Sequence, residues 1–358
     1  MPRIYGLDIL RTIAIISVVL IHFAGVLDLA IPNIPYHYLI DGVELFFVLS
    51  GFLIGSILIK EYEKDSFDKK SLTNFWKRRW FRTLPNYYLI LLLNILFAYF
   101  GFNNNDFSKF DWKFFLFFQN FDWHFLGFFW ESWSLAVEEW FYLLIPMVLF
   151  FTHSLLKKIT IKKQYVFLFV VLFFLITPLL YRYFSLLNEN LDRFWWDVKV
   201  RKIVTFRLDT IVYGVLGAYI KYYYLDFWKK NRYVFFVLGS LLYLFNGSFC
   251  GDINSIYMKV FHFPYISLLV LTFFPFFDSI QTGKGILYRV VTHISKISYS
   301  MYLVHSALVV QVFTTHVKVD SKLESVFGYL LLWIMTIVIS SFLYKYFENP
   351  LTKIRDWE

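Results

Sequence analysis

A permanent cation and a titratable imidazole lie within the first apolar segment, in the helix expected to enter the membrane first. The segment LDILRTIAIISVVLIHF contains Arg11 and His22. Eleven residues at roughly 100° each place both side chains on one helix face, about 16 Å apart along the axis. Facing lipid would cost Arg roughly 2.5–3.5 kcal/mol, so this face should point into a helix bundle. There Arg11 could bind an anion and His22 could accept a proton. Alternatively, Arg11 reaches the interface and His22 bonds to a neighbouring backbone.

Carboxylates in two other apolar segments are candidate partners of the histidine. Asp41 and Glu44 open the segment DGVELFFVLSGFLIGS, in which Ser50, Gly51 and Gly55 also favour close helix approach. Glu44 could accept a bond from His22, because both lie in the outer halves of consecutive antiparallel helices. Alternatively, the two acids cap the helix start, which fits Asp41 well.

Glu138 and Glu139 lie within FWESWSLAVEEWFYLLIPM. Because adjacent residues point about 100° apart, only one of the two can face a given site. A carboxylate at this depth pairs with a buried cation or handles a proton. Glu138 is therefore a second candidate to orient His22.

Further charged residues stand where helices are expected to begin. In FWKRRWFRTLPNYY, Arg79 and Arg82 share a face and suit bidentate phosphate binding, although basic residues there also fit ordinary membrane topology. Arg207 and Asp209 in TFRLDTIVYGVLGAYI form either a surface ion pair or a contact for a polar acceptor. His305, in ISYSMYLVHSAL, is interpreted as a structural histidine satisfied by its neighbours.

The composition indicates that these residues belong to an integral membrane protein. The 358-residue chain is 58% hydrophobic and 17% charged, against roughly 25% charged in soluble domains. Its net charge of +9 is attributed to cytoplasmic loops, so no nucleic-acid partner is expected. The one cysteine excludes an internal disulfide framework, no bound metal is expected, and no cleavable signal peptide is evident.

Apolar runs of about 20 residues predict an all-α, polytopic membrane bundle of ten transmembrane helices in a single domain, residues 1–358, with no fused extracytoplasmic domain. The predicted helices lie near 7–27, 41–60, 84–102, 133–155, 164–182, 206–224, 233–248, 258–277, 296–315 and 326–345. Segment 114–130 is aromatic but interrupted by polar residues, and is interpreted as re-entrant or interfacial. Ten spans with both termini cytoplasmic place 23 basic residues inside and ten outside, as the positive-inside rule favours.

Taken in order, these segments resemble the acyltransferase-3 family of integral membrane proteins. Arg11 and His22 match the family's arginine–ten–histidine helix, and Arg79 with Arg82 match its arginine-x-x-arginine motif. The remaining matches are GVELFFVLSGFLI, WSLAVEEWFYLLIP, FRLDTIVYGVLGA, SYSMYLVH and FENP.

The resemblance implies acyl transfer, usually of acetyl from cytoplasmic acetyl-CoA, to a hydroxyl of a carbohydrate or glycolipid at the outer face of a bacterial cell membrane. Arg11, Arg79 and Arg82 would then bind the CoA donor. His22 would act as base or carry the acyl group, oriented by Glu138 or Glu44. The remaining candidates, acceptor-side or structural, are Arg207, Asp209, His305, Trp133 and Ser134. The oligomeric state stays open.

Two other classes of protein stay compatible with the sequence. A secondary transporter also carries intramembrane Arg, His and Glu, although no inverted repeat is visible. If the protein were a non-catalytic scaffold, the presence of Arg11 and His22 on one helix face would have no explanation. The outer tryptophans, including Trp133, could stack on sugar rings or form an interfacial belt.

Overall fold

The computed structural model describes residues 3–26, 41–64, 67–125, 127–157, 159–249 and 251–354. Within these ranges the chain forms helices and turns with no strand, which confirms the all-α prediction. The ten longest helices are α1 (Tyr5–Val26), α2 (Gly42–Tyr62), α3 (Lys69–Tyr99), α4 (Ser132–Leu156), α5 (Lys163–Leu186), α6 (Val204–Tyr223), α7 (Arg232–Phe249), α8 (His262–Asp278), α9 (Gly285–Val304) and α10 (Lys322–Leu343).

Each predicted span overlaps one of these helices, and eight helical stretches within the described ranges are long and apolar enough to cross a membrane. α6 has 20 residues but meets the combined criteria of length and apolar character only together with the helical turns Arg193–Arg201, from which it bends by 68°. α7 offers a shorter apolar stretch, Arg232–Gly247. The multi-pass character is thus confirmed, whereas the count of ten and the cytoplasmic termini stay predictions.

The segment 114–130 forms a short 3₁₀ turn and irregular backbone in its described part. Two of its polar residues, Gln119 and Asn120, are buried, whereas Asp122 and His124 are exposed. The Asn120 side-chain amide donates to the carbonyls of Trp133 (3.0 Å) and Lys202 (2.5 Å). The segment therefore joins the start of α4 to the chain just before α6, and the prediction that it is not a spanning helix is confirmed.

Glycines bring α2 and α6 into backbone contact. A Cβ added at Gly51 would lie 1.8 Å from the Ile211 carbonyl oxygen, and one at Gly214 would lie 2.0 Å from that of Val48. No side chain fits at such a crossing, so the predicted close approach of α2 is confirmed. This contact fixes the relative position of Glu44 and Arg207, which the two helices carry near their first turns.

Candidate active site

Three arginines line one cavity inside the bundle. Arg11 from α1 and Arg79 and Arg82 from α3 surround a space of about 100 Å³, which α2, α4 and α9 complete. The arginines predicted to act together are therefore brought together, although they are distant in sequence. A space of this size holds about three waters, or a small acyl group, but not a whole nucleotide.

Only one of the two adjacent glutamates faces this cavity, as expected from their 100° separation. Glu138 lines it and accepts hydrogen bonds from the Ser50 hydroxyl (2.8 Å) and the Tyr142 hydroxyl (3.1 Å). Glu139 instead accepts from the Thr83 hydroxyl at 2.7 Å. Ser50 was considered in the sequence only for helix packing, and its spacing gave no sign that it would contact Glu138.

His22 pairs with the second intramembrane histidine. Its Nδ1 lies 2.7 Å from Nε2 of His305, which begins a π-helical turn (His305–Val310) continuing α9. His305 is completely buried, and its Nδ1 lies 3.0 Å from the Met301 carbonyl oxygen and 2.8 Å from that of Tyr302. The interpretation of His305 as satisfied by its neighbours holds for Nδ1, while its other nitrogen contacts His22.

The hydrogen bonds of the two candidate orienting glutamates lead elsewhere. Glu44 accepts from Arg207 Nη2, and both side chains are buried. The described partners of Glu138 are Ser50 and Tyr142. The structure therefore corrects the expectation that Glu44 or Glu138 bonds to His22: in the described residues each carboxylate bonds to other side chains, and His22 Nδ1 faces His305. Asp41 caps α2, accepting from the backbone amides of Val43 (3.0 Å) and Glu44 (3.4 Å).

A second, larger cavity opens beside His22. It measures about 970 Å³ and extends along α1 from Leu10 to His22, between α1, α2, α7 and α8. Apolar side chains line most of it, and charged side chains gather at the His22 end, among them Asp41, Glu44 and Arg201. His22 keeps more than a third of its surface accessible there, so the imidazole can reach a bound molecule.

The two cavities approach each other at a thin partition. Val43 lines both of them, and Tyr302 lines the arginine cavity while its ring lies 5.8 Å from that of His305. The hydroxyls of Tyr302 and Ser134 are 2.6 Å apart, which ties α9 to α4 at this level. Ser134 thus contributes to the partition. Tyr302, which the sequence reasoning did not single out, lies in the same SYSMYLVH segment as His305.

Arg207 and Asp209 do not pair with each other. Residues two apart on a helix point in nearly opposite directions, so each finds a partner on a different helix. Asp209 forms a fully buried, bidentate pair with Arg182 of α5, with N–O distances of 3.0 and 2.5 Å. Arg207 binds Glu44, and its guanidinium lies 3.6 Å from the centre of the Phe263 ring. The surface ion pair expected as one alternative is therefore wrong.

Trp133 lies beneath a cation rather than at an open surface. The Arg201 guanidinium is 5.3 Å from its ring centre, and Arg201 also pairs with Asp41 (2.9 Å) and Asp197 (3.2 Å). Trp133 is buried, so it is not part of an interfacial belt. Arg201 was missed in the sequence, where it counted only as a loop residue.

Glu131 lies just outside α4, beside the end of α9. Its side chain bonds with Ser306, the residue after His305, and its backbone carbonyl accepts from the Ser134 hydroxyl (3.2 Å). Burial raises the pKa of Glu131 to about 7, because the charged carboxylate loses water there. This carboxyl group therefore lies beside the π-helical turn that begins at His305.

The amino-acid sequence is similar to a known protein family and to named bacterial proteins. A family model described as an acyltransferase domain matches residues 4–345. A Staphylococcus aureus (strain COL) protein named "Putative O-acetyltransferase SACOL0978" is 29% identical, covering 99% of this chain and 58% of that protein. O-acetyltransferase OatA of S. aureus (strain NCTC 8325 / PS 47) is 28% identical, covering 97% of this chain and 57% of OatA. The chain thus spans less than two thirds of these relatives' length. No solved structure matches.

Proposed function

Because the chain belongs to the acyltransferase-3 family, we propose that it is a membrane O-acyltransferase. It moves an acyl group, in the first instance acetyl, from cytoplasmic acyl-CoA to a hydroxyl of a carbohydrate or glycolipid at the outer face of the cell membrane. The observation that carries the proposal is the pair of cavities, one with three arginines and the other with His22, which meet at Val43.

The arginine cavity suits the donor. CoA carries several phosphates, and a guanidinium offers paired donors that match phosphate oxygens. Since the cavity measures only about 100 Å³, the small acyl group enters it, while most of the pantetheine arm and the nucleotide stay at its cytoplasmic mouth. The three arginines hold the anionic end of the donor in place, and the thioester reaches toward the partition.

The larger cavity suits the acceptor. Its volume of about 970 Å³ lies at the upper end of the range for small-molecule sites, and its polar end surrounds His22. A thioester is already activated, so the chemical need is a base for the acceptor hydroxyl. His22 takes the hydroxyl proton, and the hydroxyl oxygen bonds to the acyl carbon as the C–S bond breaks. The proton then passes to the departing thiolate.

Sealed vesicles of known orientation test the through-membrane arrangement. Inverted vesicles present the cytoplasmic face outward, so [¹⁴C]acetyl-CoA is added outside and a hydroxyl-rich probe, chitooligosaccharide, is trapped inside. We expect labelled sugar inside the vesicles, because His22 lies about 16 Å along α1 from Arg11. Label that appears only when both substrates share the outer compartment would contradict the proposal. Uptake of substrate without acetylation would indicate a transporter.

The donor site makes a separate prediction. Arg79→Lys keeps the charge but loses the two-pronged donor geometry, so we expect the KM for acetyl-CoA to rise about tenfold, the size of one lost charge-assisted hydrogen bond. The KM for the acceptor should stay unchanged. Titration of acetyl-CoA at fixed acceptor measures the effect. Arg78→Lys is the matched control, because Arg78 is exposed and neighbours Arg79 in α3. Equal donor KM values in the two variants would contradict the assignment.

A further inference from the structure

His305 lies where it can decide which nitrogen of His22 carries the proton. Two backbone carbonyl oxygens, those of Met301 and Tyr302, lie 3.0 and 2.8 Å from its Nδ1. A carbonyl oxygen can only accept a hydrogen bond, so the hydrogen of His305 is on Nδ1. The side chain reaches these carbonyls because they belong to the residues four and three positions earlier in the same helix.

The tautomer of His305 then sets that of His22. A neutral imidazole has one N–H, so Nε2 of His305 is an acceptor. His305 has no exposed surface, and a cation there would lose its water without compensation. The contact of 2.7 Å between His305 Nε2 and His22 Nδ1 therefore requires that His22 donates. His22 must carry its hydrogen on Nδ1, and its Nε2 is left with a free lone pair.

The ring geometry supports a directed hydrogen bond. The two imidazole planes are inclined by only 6°, and their centres are 5.0 Å apart. With the facing nitrogens 2.7 Å apart, this separation corresponds to rings that lie edge to edge in nearly one plane. Such an arrangement aligns the N–H with the lone pair, as a strong hydrogen bond requires, and it also fixes the direction of His22 Nε2.

The backbone departs from α-helical geometry at His305. His305 is the first residue of a π-helical turn (His305–Val310) between α9 and the short helix Gln311–His316. π-Helical turns inside helices are rare and frequent at functional sites. The neighbouring Tyr302 contributes both a carbonyl to His305 and a hydroxyl to the partition beside Ser134. One helical turn thus supplies the histidine contact and part of the partition between the cavities.

We propose that His305 is a positioning residue that holds His22 in the tautomer with a free Nε2, so that His22 can accept the acceptor's hydroxyl proton. The proposal rests on the base role of His22 given above. Without His305, His22 would rotate and exchange tautomers, and its Nε2 would be protonated for part of the time. The effect should lower turnover rather than donor binding.

Kinetics of two His305 variants test the role. His305→Ala should lower kcat about 100-fold, the lower range for loss of an effective general base, with the KM for acetyl-CoA within twofold of the wild type. His305→Gln should recover most of the loss, because its amide oxygen can accept from His22 Nδ1. His293→Ala is the matched control, since His293 lies on α9, which the turn beginning at His305 continues, and it contacts the Ser341 hydroxyl instead. Wild-type kcat in His305→Ala would overturn the proposal.

A spectroscopic measurement tests the role of His305 without measuring enzymatic activity. ¹⁵N NMR of histidine-labelled protein reports which ring nitrogen is protonated, and the His22→Ala spectrum identifies the His22 signals. We expect His22 protonated on Nδ1 in the wild type and a mixture of tautomers in His305→Ala. A wild-type His22 protonated on Nε2 would overturn the proposal even if the His305 variants do not fold. Full activity in both His22→Ala and His305→Ala would instead overturn the base role of His22 itself.

Discussion

Replacement of His22 by alanine is expected to lower acyl transfer by at least 100-fold while the protein stays folded and inserted. General bases contribute roughly 10²- to 10⁴-fold to rate, and the His22 imidazole lines the larger cavity near the partition, held there by its contact with His305. Its one described hydrogen bond joins it to His305, and this bond neither caps a helix nor neutralises a buried charge. The loss should therefore appear in kcat, with the thermal unfolding midpoint close to that of the wild type.

The measurement is transfer of [¹⁴C]acetyl from acetyl-CoA by detergent-purified protein, alongside its unfolding midpoint. His316→Ala is the control, because His316 is exposed at the end of a short helix that follows the histidine pair. Near-normal transfer by a well-folded His22→Ala protein would exclude the base role. Loss of transfer together with a large drop in unfolding midpoint would assign His22 a structural role instead.

Arg182→Met is expected to destabilise the protein by about 3–5 kcal/mol, the cost of leaving one charge of a buried pair alone. Arg182 and Asp209 have no exposed side-chain surface. Arg182 also donates to the carbonyls of Phe206 and Val260, which joins α5 to α6 and to the turn before α8. Because native proteins are stable by only about 5–15 kcal/mol, most of the purified protein should aggregate or unfold at lower temperature.

Thermal unfolding in detergent measures this effect. The double variant Arg182→Met/Asp209→Leu should recover much of the loss, because it removes both charges and leaves no carboxylate unpaired. Arg289→Met is the control, since Arg289 is exposed and surface substitutions usually change stability by less than about 0.5 kcal/mol. If Arg182→Met and Arg289→Met unfolded at the same temperature, the buried pair would not contribute to stability.

The apolar runs were sufficient to predict the helices, because about 20 apolar residues leave a chain in lipid few other conformations. The irregular segment 114–130 was also identified, since Gln119 and Asn120 interrupt its apolar character. These features depend on residues that are near one another in sequence. They are therefore visible without knowing how the helices pack.

Partners across the bundle could not be predicted in the same way. Arg11, Arg79 and Arg82 were grouped by their chemistry, and the structure brings them to one cavity. The contact of His22 with His305 joins residues 283 positions apart, and it depends on the rotation of both helices. The pairs of Arg207 with Glu44 and of Asp209 with Arg182 were missed for the same reason.

The partition between the two cavities has a consequence for the energetics of the cell. Under the proposed function, an acyl group leaves the cytoplasmic cavity past Val43 and Tyr302, and the acceptor's proton passes in the opposite direction to the CoA thiolate. Counted formally, one acyl cation leaves the cytoplasmic side and one proton enters it. The two charges cancel, so the reaction moves no net charge across the bilayer. A charge that did cross would change the reaction free energy by about 2.3 kcal/mol per 100 mV. The acylation equilibrium is therefore independent of membrane voltage, so a depolarised cell could still modify its surface.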